Sequence, residues 1–224
     1  MPTLDRRGDV FVLNLGDDEN RFHPDWVAEL DRLLDEVEKA EAPRALVTTA
    51  TGKFFSNGLD LDWVTGHGDE FPAYIASVQV LYARFLALPV PSVAAIQGHC
   101  FAAGAMLALV NDFRVMRSDR GFFCLPEVDI QIPFTPAMAS LIQSRLSKKT
   151  AHEAMLTGRR YGGPDALAAG LVDEVAAEDA VLARAIEIAA GLSGKPPATL
   201  GLIKQRMYAP TLALLRDREH PLGE

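Results

Sequence analysis

Short apolar runs alternate with longer stretches in which apolar residues recur every three or four positions. Val10–Leu15, Ala45–Thr49 and Ser92–Ile96 are of the first kind and predict strands. Trp26–Glu41 is of the second kind. Trp26, Val27, Leu30, Leu33, Leu34 and Val37 share one helical face, charged residues fill the other, and Pro43 ends the pattern. Phe71–Leu88 predicts a further amphipathic helix, closed by Pro89 and Pro91. Ala102–Leu109 is apolar on nearly every face, which predicts a small buried helix. Phe113–Met116 and Gly121–Cys124 predict a strand pair that turns over Ser118-Asp119-Arg120. Helices over Thr135–Arg145, Lys148–Leu156 and Asp165–Ala169 follow, then a last strand at Leu171–Val175. Two more helices cover about Asp179–Leu192 and Pro197–Tyr208. Strands alternating with helices predict an α/β fold, with a largely parallel sheet and helices packed outside it.

Composition narrows the function classes. The chain has 224 residues, 49% hydrophobic and 23% charged, enough to bury a substantial core. Net charge is −8 and no basic stripe appears, so nucleic acid is not an expected partner. No apolar run is long enough to span a bilayer, so no membrane is expected either. The first residues lack the apolar stretch of a secretory signal, and Pro221-Leu222-Gly223-Glu224 is not a peroxisomal tripeptide. A cytoplasmic protein is expected. Cys100 and Cys124 make neither a disulfide framework nor a zinc site, and the five histidines show no ligand spacing, so no metal is expected.

The candidate chemistry sits at two strand-to-helix junctions and one acid. The first junction is Lys53-Phe54-Phe55-Ser56-Asn57-Gly58-Leu59-Asp60. It reads either as an ordinary glycine turn or as a place where the Leu59 N–H meets a ligand oxygen. The second runs from Gly98 through Ala102-Ala103-Gly104-Ala105. Its small side chains serve either close helix–sheet packing or close approach of a ligand to the backbone. Glu127 lies in a mostly apolar stretch, Phe122–Ile132. Strand alternation would put Glu127, Asp129 and Gln131 on one face and Val128, Ile130 and Ile132 on the other. Glu127 is then either a solvent-facing edge residue or a carboxylate at the rim of an apolar pocket, where desolvation raises its pKa.

Taken together, these residues resemble the crotonase (enoyl-CoA hydratase/isomerase) superfamily. Lys53–Leu61 resembles its first oxyanion-hole segment, and Pro91–Gly98 followed by Ala102-Ala103-Gly104 resembles its second. Asn111–Val115, Phe122, Pro126-Glu127, Ile130, Leu156–Arg159 and Gly170–Asp173 continue the match in order and spacing. The resemblance implies a spiral of ββα units over residues 1–175. It also implies a helical region over 176–224 used for assembly as a homotrimer or a dimer of trimers. It implies an acyl-CoA thioester substrate, with coenzyme A as part of the substrate and no separate cofactor. The N–H groups of Leu59 and Ala103 would hold the thioester oxygen, Ala103 standing where many members carry glycine. Phe55, Ser56, Asp60 and Leu61 would lie along the CoA path, and Lys53 would approach its phosphates.

Hydratases of this superfamily use two glutamates. The first falls on Met106 here and the second on Glu127. A lone glutamate resembles the Δ3,Δ2-enoyl-CoA isomerases, and implies a 3-enoyl to 2-trans-enoyl shift in fatty-acid oxidation with Glu127 as the base. The competing expectations are hydration or another thioester reaction, with Asp60, Asp62 or Asp129 as an additional carboxylate, and a non-catalytic acyl-CoA-binding homologue.

Overall fold

The computed structural model describes residues 1–223. In chain order its first elements are β1 (Thr3–Arg7), β2 (Val10–Asn14), α1 (Pro24–Lys39), β3 (Ala45–Thr49), β4 (Phe54–Ser56), α2 (Leu61–Gly66) and α3 (Phe71–Leu86). Then come β5 (Ser92–Ile96), β6 (His99–Phe101), α4 (Ala103–Leu109), β7 (Phe113–Arg117), β8 (Phe123–Cys124) and α5 (Pro136–Arg145). The chain continues with α6 (Lys148–Thr157), α7 (Gly163–Ala168), β9 (Glu174–Ala176), α8 (Val181–Leu192), α9 (Pro197–Met207) and α10 (Ala209–Leu215).

Two sheets organise these elements. The larger has the order β1-β2-β3-β5-β7-β9, parallel throughout except for β1, and the smaller is the parallel set β4-β6-β8. Three times in succession, one strand joins the large sheet, the next joins the small sheet, and a helix follows: β3-β4-α2, β5-β6-α4 and β7-β8-α5. This repeat is the ββα spiral. The predicted hairpin between Phe113–Met116 and Gly121–Cys124 does not form. β7 lies between β5 and β9, while β8 pairs with β6 in the other sheet. The chain crosses between sheets at Gly121, which packs so tightly on Gly98 that a β-carbon would stand 2.8 Å from the Gly98 carbonyl.

Both faces of the large sheet are covered, which explains its continuous apolar runs. Phe11, Leu13, Leu46, Ala94 and Ile96 face the main core. Val10, Val12, Ala45, Val47 and Val93 face a second core with Val181, Ala185 and Ala189 of α8. β1 has no apolar alternation and is mostly exposed, so hydrophobic pattern alone does not predict it. The last strand falls at Glu174–Ala176 rather than Leu171–Val175, because Leu171 and Val172 plug the core instead. α10 is a further helix beyond those predicted; it packs on α3 and α5. α9 is pinned by Lys204, whose Nζ donates to Asp112 Oδ2 at 2.7 Å and to the Val90 carbonyl at 3.0 Å.

Candidate active site

A cavity of about 280 Å³ opens where the two junctions meet. Leu59 and Leu61 line it from the first junction, Ala102, Ala103 and Met106 from the second, and Glu127 from the loop after β8. Glu127 is its one carboxylate among the described residues; Ile75, Ile132, Phe134 and Met138 make most of the remaining wall apolar.

Between β4 and the first residue of α2, one backbone amide has no partner among the described residues. Asn57 N–H donates to the Glu19 carbonyl, Gly58 N–H to Ser56 Oγ and Asp60 N–H to Tyr74 Oη. Leu61 N–H donates to the Leu59 carbonyl. The Leu59 N–H, between them, has no acceptor among the described residues. Its neighbours are satisfied by the loop before α1: Phe22 N–H donates to the Gly58 carbonyl, and Asn20 Nδ2 donates to the carbonyls of Phe54 and Phe55. Gly58 (φ +89) is required here, since a β-carbon would stand 3.0 Å from Ala103 N.

The second junction is the start of α4. No side chain caps that helix, so its first amides remain free, that of Ala103 among them. Ala102 N–H donates to the Cys124 carbonyl, and Met106 N–H returns to the Ala102 carbonyl. Tyr82 Oη donates to the Ala103 carbonyl at 2.7 Å and fixes the first turn from behind. Ala102 itself has φ 50 and ψ −124, a conformation costly for any residue with a β-carbon. Gly104 lets the turn lie directly on Ser56, whose carbonyl would be 2.6 Å from an added β-carbon.

Glu127 does not sit on a strand. Ile130 N–H and Asp129 N–H both bond the Pro126 carbonyl, so the segment is one helical turn. The turn breaks up the predicted faces, burying Glu127 while Asp129 and Gln131, expected beside it, are exposed. Glu127 is 6% exposed, whereas Val128 and Ile130 are 48% and 45% exposed. Its Oε2 is buried without a hydrogen-bond partner. Burial pushes the carboxyl up to about 7, against a weaker opposite pull from its own backbone N–H. The arrangement is therefore a buried carboxyl able to gain or lose a proton near neutral pH, in an apolar cavity lined by residues with unpaired N–H groups.

Of the residues predicted for the site, Leu59, Leu61, Ala103, Met106 and Glu127 come together at this cavity; the others do not. Phe55 and Ser56 have fully buried side chains and do not line the cavity. Ser56 Oγ is spent internally, donating to the Asn20 carbonyl at 2.7 Å while accepting from Gly58. Asp60 caps α2 by accepting from Trp63 N–H. Lys53 lies on a separate cleft with Arg7, Arg117 and Arg120, its Nζ 5.1 Å from the Phe54 ring centroid. The additional carboxylates considered for hydration are absent from the cavity wall: Asp62 pairs with Arg21, and Asp129 is exposed. Asn20, Tyr74 and Tyr82 shape the junctions without having been singled out in the sequence. The available signal was Tyr74 and Tyr82, two polar-tipped aromatics on the buried side of α3.

Comparison with known proteins agrees with this architecture. The model of the family Enoyl-CoA hydratase/isomerase matches residues 6–219. The chain is 38% identical over 207 residues to peroxisomal enoyl-CoA delta isomerase 2 of Arabidopsis thaliana, covering 87% of this chain and 86% of that one. It is 40% identical over 187 residues to enoyl-CoA delta isomerase 3 of the same plant, covering 80% and 79%. Among solved structures it is similar to a Mycobacterium tuberculosis enoyl-CoA isomerase, with TM-score 0.91 and 28% identity, covering 100% of this chain and 98% of that one. With the ββα spiral, the junction cavity and this match over nearly its whole length, the chain belongs to the enoyl-CoA hydratase/isomerase family.

Proposed function

We propose that the protein is an enoyl-CoA isomerase that converts a 3-enoyl-CoA into the 2-trans-enoyl-CoA, as a step of fatty-acid oxidation. The observation that carries this reading is the solitary Glu127: buried, unpaired, raised to about 7, and the one carboxylate on the cavity wall among the described residues. Met106 faces the same cavity where a hydratase of the family would carry its other glutamate. A thioether cannot take a proton from water, so the apparatus for adding water is missing while a base remains.

The thioester oxygen accepts from the N–H groups of Leu59 and Ala103. Glu127 takes a proton from C2, the electrons delocalise onto the oxygen as a dienolate, and the same carboxyl returns the proton to C4. No water or cofactor is consumed, and coenzyme A remains attached throughout. Each N–H contributes about 3 kcal/mol at the transition state, the scale of losing one such donor. The apolar wall excludes water, so the dienolate is reprotonated and the product double bond is not hydrated.

Assembly as a homotrimer belongs to the same reading. α9 supports it by presenting Leu202, Ile203 and Met207 to solvent, a run of apolar residues that a second copy would cover. Light scattering on the purified protein measures the mass.

Isomerisation of 3-hexenoyl-CoA, measured beside hydration of crotonyl-CoA on the wild type and Glu127→Gln, tests the reaction. Isomerisation that greatly exceeds hydration and collapses in Glu127→Gln supports it. Hydration as the faster reaction, or normal isomerisation by Glu127→Gln, sinks it. Tight acyl-CoA binding with no turnover would identify a non-catalytic homologue instead.

A further inference from the structure

One wall of the cavity comes from a segment remote in sequence from both junctions. After α10 the chain runs through Asp217–Gly223 and returns to the site, where Leu222 lines the cavity. Leu222 is half-buried and packs on the main core. The segment is tied along its length. The Asp217 carboxylate accepts from the N–H groups of Glu219 and His220, at 2.9 and 3.0 Å, and closes a turn. Gln79, fully buried on α3, donates from Nε2 to the Pro221 carbonyl at 2.9 Å and to Thr135 Oγ1 at 2.8 Å. Gly223 (φ +87) lies against the Pro136 ring, with no room for a β-carbon. Leu222 is thus held between a buried glutamine and a proline, as a fixed strap across the wall.

The cavity is small. At about 280 Å³ it falls just under the roughly 300–1,000 Å³ of most small-molecule sites. The reacting thioester and alkene occupy part of it, so one leucine side chain governs a large share of what remains for the acyl tail.

We propose that Leu222 sets the acyl-chain length the protein accepts, limiting it to short chains. This rests on the acyl-CoA reading of the cavity. Apolar burial favours binding by about fourfold per added methylene while room remains. Once the tail meets Leu222, further methylenes gain nothing.

The test measures two series on the wild type, Leu222→Ala and Leu222→Phe. One is the affinity for saturated acyl-CoA esters of four to twelve carbons by calorimetry, which needs no turnover. The other is kcat/KM for 3-enoyl-CoA esters of six to ten carbons. Affinity in the wild type is expected to rise with length and then level off. Leu222→Ala moves the break to longer chains and raises the ten- to six-carbon ratio about tenfold. Leu222→Phe moves it to shorter chains and lowers the ratio by a similar factor. The same break in all three proteins overturns the proposal and leaves the isomerase reading standing. A break that moves as expected in a protein without isomerase turnover supports the strap and overturns the isomerase reading. Failure to bind any acyl-CoA ester overturns both.

Discussion

Glu127 and Lys204 are buried to nearly the same degree, 6% and 4% exposed, yet their surroundings treat them in opposite ways. Lys204 on α9 reaches Asp112 at 2.7 Å and the Val90 carbonyl at 3.0 Å, and Asp112 in turn accepts from Ser92. Glu127 is left with an unpartnered oxygen in an apolar wall. A paired buried charge fastens one element to another; desolvation lowers the Lys204 pKa and Asp112 opposes that shift. An unpaired one carries a cost to stability, and the return is reactivity at neutral pH. The contrast separates the residue that fastens α9 from the one suited to move a proton.

The largest expected effect is on turnover. Glu127→Gln keeps the size of the side chain and removes the base, so isomerase kcat is expected to fall by about 10²- to 10⁴-fold. Lys204→Met should do the reverse. It leaves Asp112 near the interior without its cation, costing about 3–5 kcal/mol of stability in urea unfolding. Turnover per folded molecule should stay near that of the wild type. If Lys204→Met cost no stability and abolished turnover, the division of roles between the two charges would fail.

The next effect is smaller and carries a sign. The Glu127 carboxyl titrates near 7 in the folded protein and near 4.5 when unfolded. Between those values the folded state holds the proton and the unfolded state has lost it. Stability supplied by this group is therefore complete below about pH 4.5 and lost as pH rises through about 7. The difference amounts to about 3 kcal/mol at pH 8. Glu127→Gln lacks this loss. Urea unfolding at pH 5.5 and pH 8 should show the variant gaining on the wild type as pH rises. The same titration should appear in catalysis with the opposite benefit, because the base is needed ionised: wild-type kcat/KM rises with pH and levels off above about 7. A flat rate between pH 5.5 and 8 would separate Glu127 from the chemistry.

How much of this was legible in the sequence differs between the parts. α1, β3 and β5 were read closely because burial on one helical face or on both sheet faces leaves a long, regular pattern. Glu127 was singled out from its apolar neighbourhood, but the alternation Glu-Val-Asp-Ile predicted the wrong geometry. A single helical turn sends Glu127 inward and leaves Asp129 and Gln131, its expected face-mates, exposed, which no period-two pattern describes. The burial of the Phe55 and Ser56 side chains was not legible because β4 is only three residues long, too short for a pattern to show which side chain faces in. The strap was not legible at all. Gln79 and Pro221 are 142 residues apart, and neither shows in its own segment that it meets the other.

The smallest expected effect tests whether strain, like the unpaired acid, is a cost confined to the site. Ala102 has φ 50 and ψ −124, a region that favours glycine. It is held there from both sides, its N–H bonded to the Cys124 carbonyl at 3.0 Å and its own carbonyl to Met106 N–H at 3.1 Å. The next amide is that of Ala103, packed against Gly58. Relief of the strain in Ala102→Gly is worth about 1–3 kcal/mol, and the added freedom of the unfolded chain takes back about 0.5–1 kcal/mol. A net gain of about 1 kcal/mol raises Tm by about 2–4 °C in a protein of this size. Because the two hydrogen bonds persist, kcat should fall by no more than about threefold. A variant less stable than the wild type would show that the methyl over Gly58, rather than the backbone, holds the junction. Ala102 would then belong with Lys204 among the fasteners, and the costly conformation would have a packing cause instead of a chemical one.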